Sequence, residues 1–249
     1  MSPLRGRRVL LTRSHEDNQR WAEALSARGI LPVVLTCLAT EPRPEAAEEL
    51  ARELALCDWL ALASRRAAQA AALLLPGGLP KRLRVACVGT ATAAEARAVF
   101  GRADLVAALG TGAALGAELA AARPRPARVL VAAALEGRRD VEDALEAAGI
   151  EARRVAVYRT QPTEPAEERL ELGALALDAI FLASPSAVRG LLNQALPPAG
   201  VPIVTLGPST SEAARAAGLS VRAEARTRGL EGLLAALHEH LDPPRKDPR

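Results

Sequence analysis

Hydroxyl-bearing residues recur where apolar runs stop. The run Ala179–Ala183 ends at Ser184-Pro185-Ser186 and the run Trp59–Ala63 at Ser64-Arg65-Arg66, and a helical pattern follows each. A second arrangement places Gly89, Thr90 and Thr92 after Arg84–Val88, and Gly207, Ser209 and Thr210 after Ile203–Leu206. A helix N-terminus has N–H groups without intrahelical acceptors and a partial positive charge, so small hydroxyls beside it suit an anionic ligand. The plainer role of Ser or Thr at such a position is an N-cap, and both roles stay open at this point. Arginines stand just past several strand ends: Arg13 after Thr12, then Arg65, Arg66, Arg138, Arg139 and Arg159. They form either a solvated face or carboxylate contacts. Tyr158, the only tyrosine, ends the run "VAVYRT" and reads as a packed ring or a proton donor.

Other chemistries find less support. "GTGAALG" (110–116) has GxGxxxG spacing rather than GxGxxG and does not form the first βα turn of its unit. It reads as a turn and a helix cap, with no dinucleotide expected, although Glu136 lies 20 residues beyond Gly116. His238 and His240 are two apart on a helix and share no face, and His15 falls in an expected loop, so no metal site is expected. There is no GxSxG motif, P-loop or Cys–His pairing.

The elements that must position these residues alternate. Strand candidates are Val9–Thr12, Leu31–Leu35, Trp59–Ala63, Arg84–Val88, Asp104–Ala108, Val129–Ala133, Ala152–Tyr158, Ala179–Ala183, Ile203–Leu206 and Val221–Glu224, mostly separated by Ala/Leu/Glu/Arg-rich helical stretches. This pattern implies βαβ units and parallel sheets covered by helices on both faces. The chain also repeats itself. "RVLLTRSHEDNQRWAEALSARGI" (8–30) matches 128–150, "LTCLAT" (35–40) matches "VAVYRT" (155–160), and "LASRRAAQA" (62–70) matches "LASPSAVRG" (182–190), all at an offset of 120. "VACVGTATAAEARAVFG" (85–101) matches 203–219 at 118, and "TGAALGAELAAA" (111–122) resembles 227–239. Two copies of an α/β unit follow, each with about five strands, the count of a flavodoxin-like sheet. Ligands bind such sheets at the carboxyl ends of the strands, so two such edges would line a cleft with amides and hydroxyls.

The 249 residues suit two domains of ordinary size or one large one. Hydrophobic residues make up 49% but aromatic residues only 2%, so alanine must fill much of the core. Nearly all positive residues are Arg, but the net charge of +3 is small and dispersed, which implies no nucleic-acid partner. Cys37, Cys57 and Cys87 lack CxxC spacing and read as buried thiols in a reducing compartment. No apolar stretch reaches the ~18 residues of a membrane span, and "MSPLRGRRVLLTR" is not a signal peptide, so a soluble, cytoplasmic chain is expected. The tail "DPPRKDPR" is expected to be disordered.

The order "VLLTR", "LASRRAA", "VACVGTATAAEA", "RVLVAAALEGRRDVEDALEAAGI", "VAVYRT", "LASPSAV", "VTLGPSTSEAARAAGL" and "TRGLEGLLAAL" resembles the uroporphyrinogen-III synthase family over about residues 7–241. The resemblance implies two flavodoxin-like domains joined by a two-stranded β linker. The first would be discontinuous (1–36 and 162–249), the second would span 41–156, and the linker strands would be 37–40 and 157–161. The repeat copies would then have exchanged their first segments, where the sequence alone suggests a tandem split near residue 125. The resemblance further implies that the chain, a monomer without metal or organic cofactor, cyclises hydroxymethylbilane, a linear tetrapyrrole with eight carboxylates. The terminal hydroxyl leaves as water, and ring D is inverted through a spiro intermediate. Candidate substrate contacts are Thr12, Arg13, Ser64, Arg65, Gly89, Thr90, Thr92, Arg138, Ser184, Ser186, Gly207, Ser209 and Thr210, with Tyr158 as an assisting acid. The first serine motif departs from the family's Thr-Ser-x-Asn-Ala: it reads "ASRRAA", where Arg65 and Arg66 add carboxylate-binding capacity. From a different class, a non-catalytic two-lobed module for a small anion would present the same features.

Overall fold

The computed structural model describes residues 4–241, so the tail 242–249 lies outside the described residues. The chain forms two compact units, one containing the described residues up to Ala39 and from Gln161, the other Thr40–Thr160.

The first unit contains β1 (Arg8–Leu11), α1 (His15–Ser26), β2 (Leu31–Val34) and the start of β3 (Leu38–Pro42). The second continues with α2 (Ala47–Leu56), β4 (Trp59–Leu62), α3 (Arg65–Leu74), β5 (Arg84–Cys87), α4 (Thr90–Phe100), β6 (Leu105–Val106), α5 (Gly112–Ala121), β7 (Arg128–Ala134), α6 (Asp140–Ala147) and most of β8 (Glu151–Pro162). The chain then returns to the first unit for β9 (Leu170–Glu171), β10 (Ala179–Leu182), α7 (Pro185–Gln194), β11 (Ala195–Leu196), β12 (Ile203–Thr205), α8 (Pro208–Ala216), β13 (Val221–Glu224) and α9 (Leu230–Leu241). No described helix is long and apolar enough to cross a membrane.

The sheet of the first unit has the order β13-β12-β10-β1-β2, and that of the second β3-β8-β7-β4-β5-β6. The pairings β1–β2, β1–β10, β10–β12 and β12–β13 are parallel, as are β7–β8, β4–β7, β4–β5 and β5–β6. Numbered from β1, the first sheet reads 2-1-3-4-5 from its β2 edge, a doubly wound order. The second reads the same from β8 when each strand takes its repeat counterpart's number, although its first two strands, β7 and β8, come last in the chain. A tandem split near 125 would separate β7 and β8 from the sheet they belong to.

The central strands β1, β4, β5, β7, β10 and β12 are buried on both faces, which is why they read as continuous apolar runs. Along β4, Leu60 and Leu62 pack with Val85, Leu130 and the alanines of α3. The alternate residues Trp59 and Ala61 pack with Val129, Val131 and the leucines of α5. In the first unit, Val9, Leu11 and Phe181 meet Leu25, Leu233 and Leu237, while Leu10, Ile180 and Leu182 meet Val188 and Leu191.

Several elements depart from the expectations. Asp104–Ala108 contracts to Leu105–Val106. His15, expected in a loop, is the first residue of α1, and its ring contacts Gln19. The two-residue strands β9 and β11 were missed because so short a pair carries no periodicity. β3 contains Thr, Glu and Pro and shows no apolar alternation, so only the family resemblance pointed to it. β8 is one continuous strand of 12 residues beside β3. The Arg43 N–H donates to Val157 O and the Thr163 N–H to Cys37 O, which fixes an antiparallel course for these two segments.

Candidate functional site

Within the second unit, the turns that follow β4, β5 and β7, the start of α5 and Tyr158 of β8 meet around a cavity of about 190 Å³, lined by Ala63, Ser64, Val88, Gly112, Ala133, Ala134, Gly137, Arg138, Asp140, Val141 and Tyr158. A wider depression of about 750 Å³ shares Gly112, Arg138 and Asp140 with it.

Ser64 does two things there. It is the N-cap of α3, its Oγ accepting the Ala67 N–H at 3.0 Å, and the same Oγ lies 3.1 Å from the Tyr158 hydroxyl. β8 aims that ring by an irregularity. β7 pairs Ala133 with Ala156 but Ala134 with Tyr158, which skips Val157. A regular strand would send consecutive residues to opposite faces, yet Val157 and Tyr158 both enter the core cluster beneath α3. Tyr158 is 7% exposed, so its body is core and only the hydroxyl end reaches the cavity. Arg138 is exposed in the β7–α6 turn, with Nε and Nη2 at 3.1 and 2.9 Å from Asp140 Oδ1. Its remaining donors are available to an anion.

The other candidates at this edge divide by burial. Arg65 is the first residue of α3 and half-buried. Gly89 is the N-cap of α4 in extended backbone, and Thr90 is exposed. Thr92 is buried.

In the first unit, Ser184 caps α7 by accepting the Ala187 N–H at 3.1 Å. Ser186 is the second residue of α7, half-buried, and does not share the cap. Gly207 is the N-cap of α8, with Ser209 exposed and Thr210 buried. Thr12 is corrected from a ligand contact to a strand joint, being fully buried with its hydroxyl donating to Phe181 O at 2.7 Å. Thr92 and Thr210 are buried as well. Arg13 is half-buried, 3.0 Å from Asp17 and 4.5 Å over the Trp21 ring. Buried Asn18 holds its backbone at both N–H and C=O.

"GTGAALG" also receives its physical reading. Thr111 caps α5 by accepting the Ala114 N–H. A Cβ on Gly116 would stand 2.6 Å from Ala144 Cβ and 2.8 Å from Val141 O, and one on Gly112 2.9 Å from Asp140 Cβ. These glycines let α5 and α6 pack closely, and Glu136 accepts the Thr160 N–H in a different turn.

Sequence reasoning missed Arg154, Glu142, Gly137 and Asn18. One of the two Arg in "EARRVAVY" or an Asn within a helical stretch has no spacing that marks it, because its partners lie in other elements.

The fold and this site define an α/β protein that offers hydroxyls, arginine donors and helix N-termini at the carboxyl ends of its strands. The family model described as uroporphyrinogen-III synthase HemD matches residues 19–235. The chain is 28% identical over 247 residues to a chloroplastic uroporphyrinogen-III synthase of Oryza sativa subsp. japonica, covering 94% of this chain and 80% of the rice protein. In fold it is similar to a mutant uroporphyrinogen III synthase of the extremely thermophilic bacterium Thermus thermophilus, with a TM-score of 0.50 and 18% identity over 96% of this chain and 100% of that one. The chain belongs to the uroporphyrinogen-III synthase HemD family.

Proposed function

We propose that the chain cyclises hydroxymethylbilane to uroporphyrinogen III, with loss of water and inversion of ring D through a spiro intermediate. The observation that carries this reading is the family match across residues 19–235. The site chemistry agrees with it. The substrate's own pyrroles supply the electrons that expel the hydroxyl, so the protein's task is to fold the chain into one geometry and assist the departure. The cavity of about 190 Å³ has room for one substituted ring rather than a whole tetrapyrrole. Carboxylates are taken by Arg138, Arg65 and Arg13, by the half-buried hydroxyls of Ser184 and Ser186, and by Thr90, Ser209 and the N-termini of α4 and α8. Ser64 accepts from Ala67, so its own hydrogen can donate to Tyr158. That leaves the phenolic proton free for the departing hydroxyl, with Tyr158 as an assisting acid. The reaction needs no metal or organic cofactor.

The same reading assigns two flavodoxin-like domains, 1–36 with 162–249 and 41–156, joined by linker strands at 37–40 and 157–161. Supporting it are the two strand orders and the passage of the chain between the units within β3 and β8. We place the chain in the reducing cytoplasm as a monomer, with three free, buried cysteines in keeping with that compartment. The deciding experiment incubates the protein with freshly generated hydroxymethylbilane, oxidises the products and separates the isomers. Type III product is expected. Only type I isomer, formed at the spontaneous rate, would overturn the reading.

A further inference from the structure

Arg154, on β8, lies under the β7–α6 turn and binds it at three points. Nη2 donates to Ala134 O at 2.7 Å, Nη1 donates to Arg138 O at 3.1 Å, and Nη1 also reaches Glu142 Oε1 at 2.6 Å. One guanidinium thus holds the carbonyl where β7 ends, the carbonyl of Arg138 itself, and the first turn of α6. The turn closes on this group so tightly that a Cβ on Gly137 would stand 2.5 Å from Arg154 Nη2. The Leu135 N–H donates to Tyr158 O at 2.8 Å, which anchors the same turn one step further along β8. The ion pair is interior, with side-chain exposures of 15% for Arg154 and 1% for Glu142, and Glu142 Oε2 has no hydrogen-bond partner among the described residues. Replacing such a pair by apolar side chains of similar volume is often neutral or stabilising, so a buried pair is weak evidence of a stabilising role. What the pair does is geometric.

We infer that the Arg154–Glu142 pair is a peg that positions Arg138 for a substrate carboxylate, and so governs how the linear tetrapyrrole is bound. Arg154 and Glu142 are positioning residues: neither lines the cavity, whereas Arg138 lines both the cavity and the depression beside it. The inference rests on the proposed tetrapyrrole chemistry for the identity of the anion, but the peg itself can be tested without substrate.

Removing Arg154 alone would strand the Glu142 charge in the interior, and such a variant is expected to fold poorly. The informative protein is therefore the double variant Arg154→Met/Glu142→Leu, which removes both charges, with folding checked by circular dichroism. Amide hydrogen exchange without substrate is expected to accelerate at least about tenfold at Gly137–Arg139 while staying unchanged in β4 and α3. With hydroxymethylbilane, KM is expected to rise about tenfold, with kcat kept within about threefold. Arg138→Met should raise KM about as much in the wild-type background and add little to the double variant. Arg154→Lys should regain only part of the affinity, because an ammonium cannot span three acceptors in the guanidinium's geometry. Unchanged exchange in a folded double variant overturns the peg. Faster exchange with unchanged KM, or multiplied effects of Arg138→Met and the double variant, overturns its link to substrate. A wild-type protein that makes no type III isomer overturns the proposed function and, with it, the substrate half of this inference, while the exchange measurement still decides the peg.

Discussion

The Tyr158 hydroxyl and Ser64 Oγ lie 3.1 Å apart, although 94 residues separate them. The contact joins the carboxyl end of β4 to β8, two strands that are not neighbours, because β7 runs between them. It depends on two local devices. The N-cap geometry of α3 fixes Ser64 Oγ on the Ala67 N–H, and the skipped pairing at Val157 turns Tyr158 toward the same side. The residues nearest the proposed chemistry are thus held by backbone features, which suits a reaction in which geometry is the main demand.

Tyr158→Phe keeps the buried ring and removes only the hydroxyl. Turnover is expected to fall about tenfold, short of the ~100-fold or more lost with an indispensable general acid. Ser64→Ala should also cost about 1 kcal/mol of stability through the lost cap, which Tyr158→Phe should not. If the two groups act together, their effects on kcat will be less than multiplicative in the double variant. Full turnover in Tyr158→Phe would reject the acid role.

Gly116→Ala tests the reading of "GTGAALG" as helix packing. The new methyl would meet Ala144 Cβ at 2.6 Å and Val141 O at 2.8 Å, so α5 and α6 must separate. A loss of about 1–3 kcal/mol is expected in chemical denaturation. Titration with NAD should leave wild-type stability unchanged. A dinucleotide-dependent rise in melting temperature would restore the discarded reading.

Much of this architecture was legible in the sequence, for a physical reason. Strands buried on both faces must be apolar throughout, and Leu60, Ile180 and Leu130 declared them so. The capping serines were legible too, since a helix that follows a strand directly needs an acceptor there. The exchange of first segments was not written in local pattern, because β7 and β8 look alike whichever sheet they join. The burial of Thr12, Thr92 and Thr210 was equally hidden: a threonine just past a strand or in the first turn of a helix reads the same whether it is buried or faces a ligand. Arg154 was lost among the many arginines of the chain, and only its three acceptors set it apart.

Gly190→Ala should be more damaging than Gly116→Ala. A Cβ on Gly190 of α7 would stand 1.8 Å from Cys37 O, the carbonyl that also accepts the Thr163 N–H. The Cys37 carbonyl cannot yield without straining that bond. A loss above about 3 kcal/mol is expected, at the upper end for overpacking. Gly173→Ala, where the added methyl meets nothing within 4 Å, is the control and should be near neutral. Equal melting temperatures for the two variants would show that the Cys37 segment is not held against α7.

The three thiols set an alkaline limit on stability. Burial pushes Cys37 from 9.0 up to about 12. Burial is also the largest influence on Cys57 and Cys87, each raised to about 11. The unfolded chain therefore releases these protons near pH 9 while the folded chain retains them. Between pH 9 and about 11 the unfolded state binds fewer protons, so stability falls as pH rises; below pH 9 both states keep them and the contribution is flat. Each thiol is expected to add a slope of about 1.4 kcal/mol per pH unit in that window. Denaturation at about pH 8 and about pH 10, compared between wild type and a Cys37→Ala/Cys57→Ala/Cys87→Ala variant, isolates the term from other groups that titrate there. The wild type should lose more stability than the variant over that step. A thiol reagent at the lower pH should label none of the three until denaturant is added. Rapid labelling of the native protein, or parallel pH profiles, would mean that these thiols are not held in the interior.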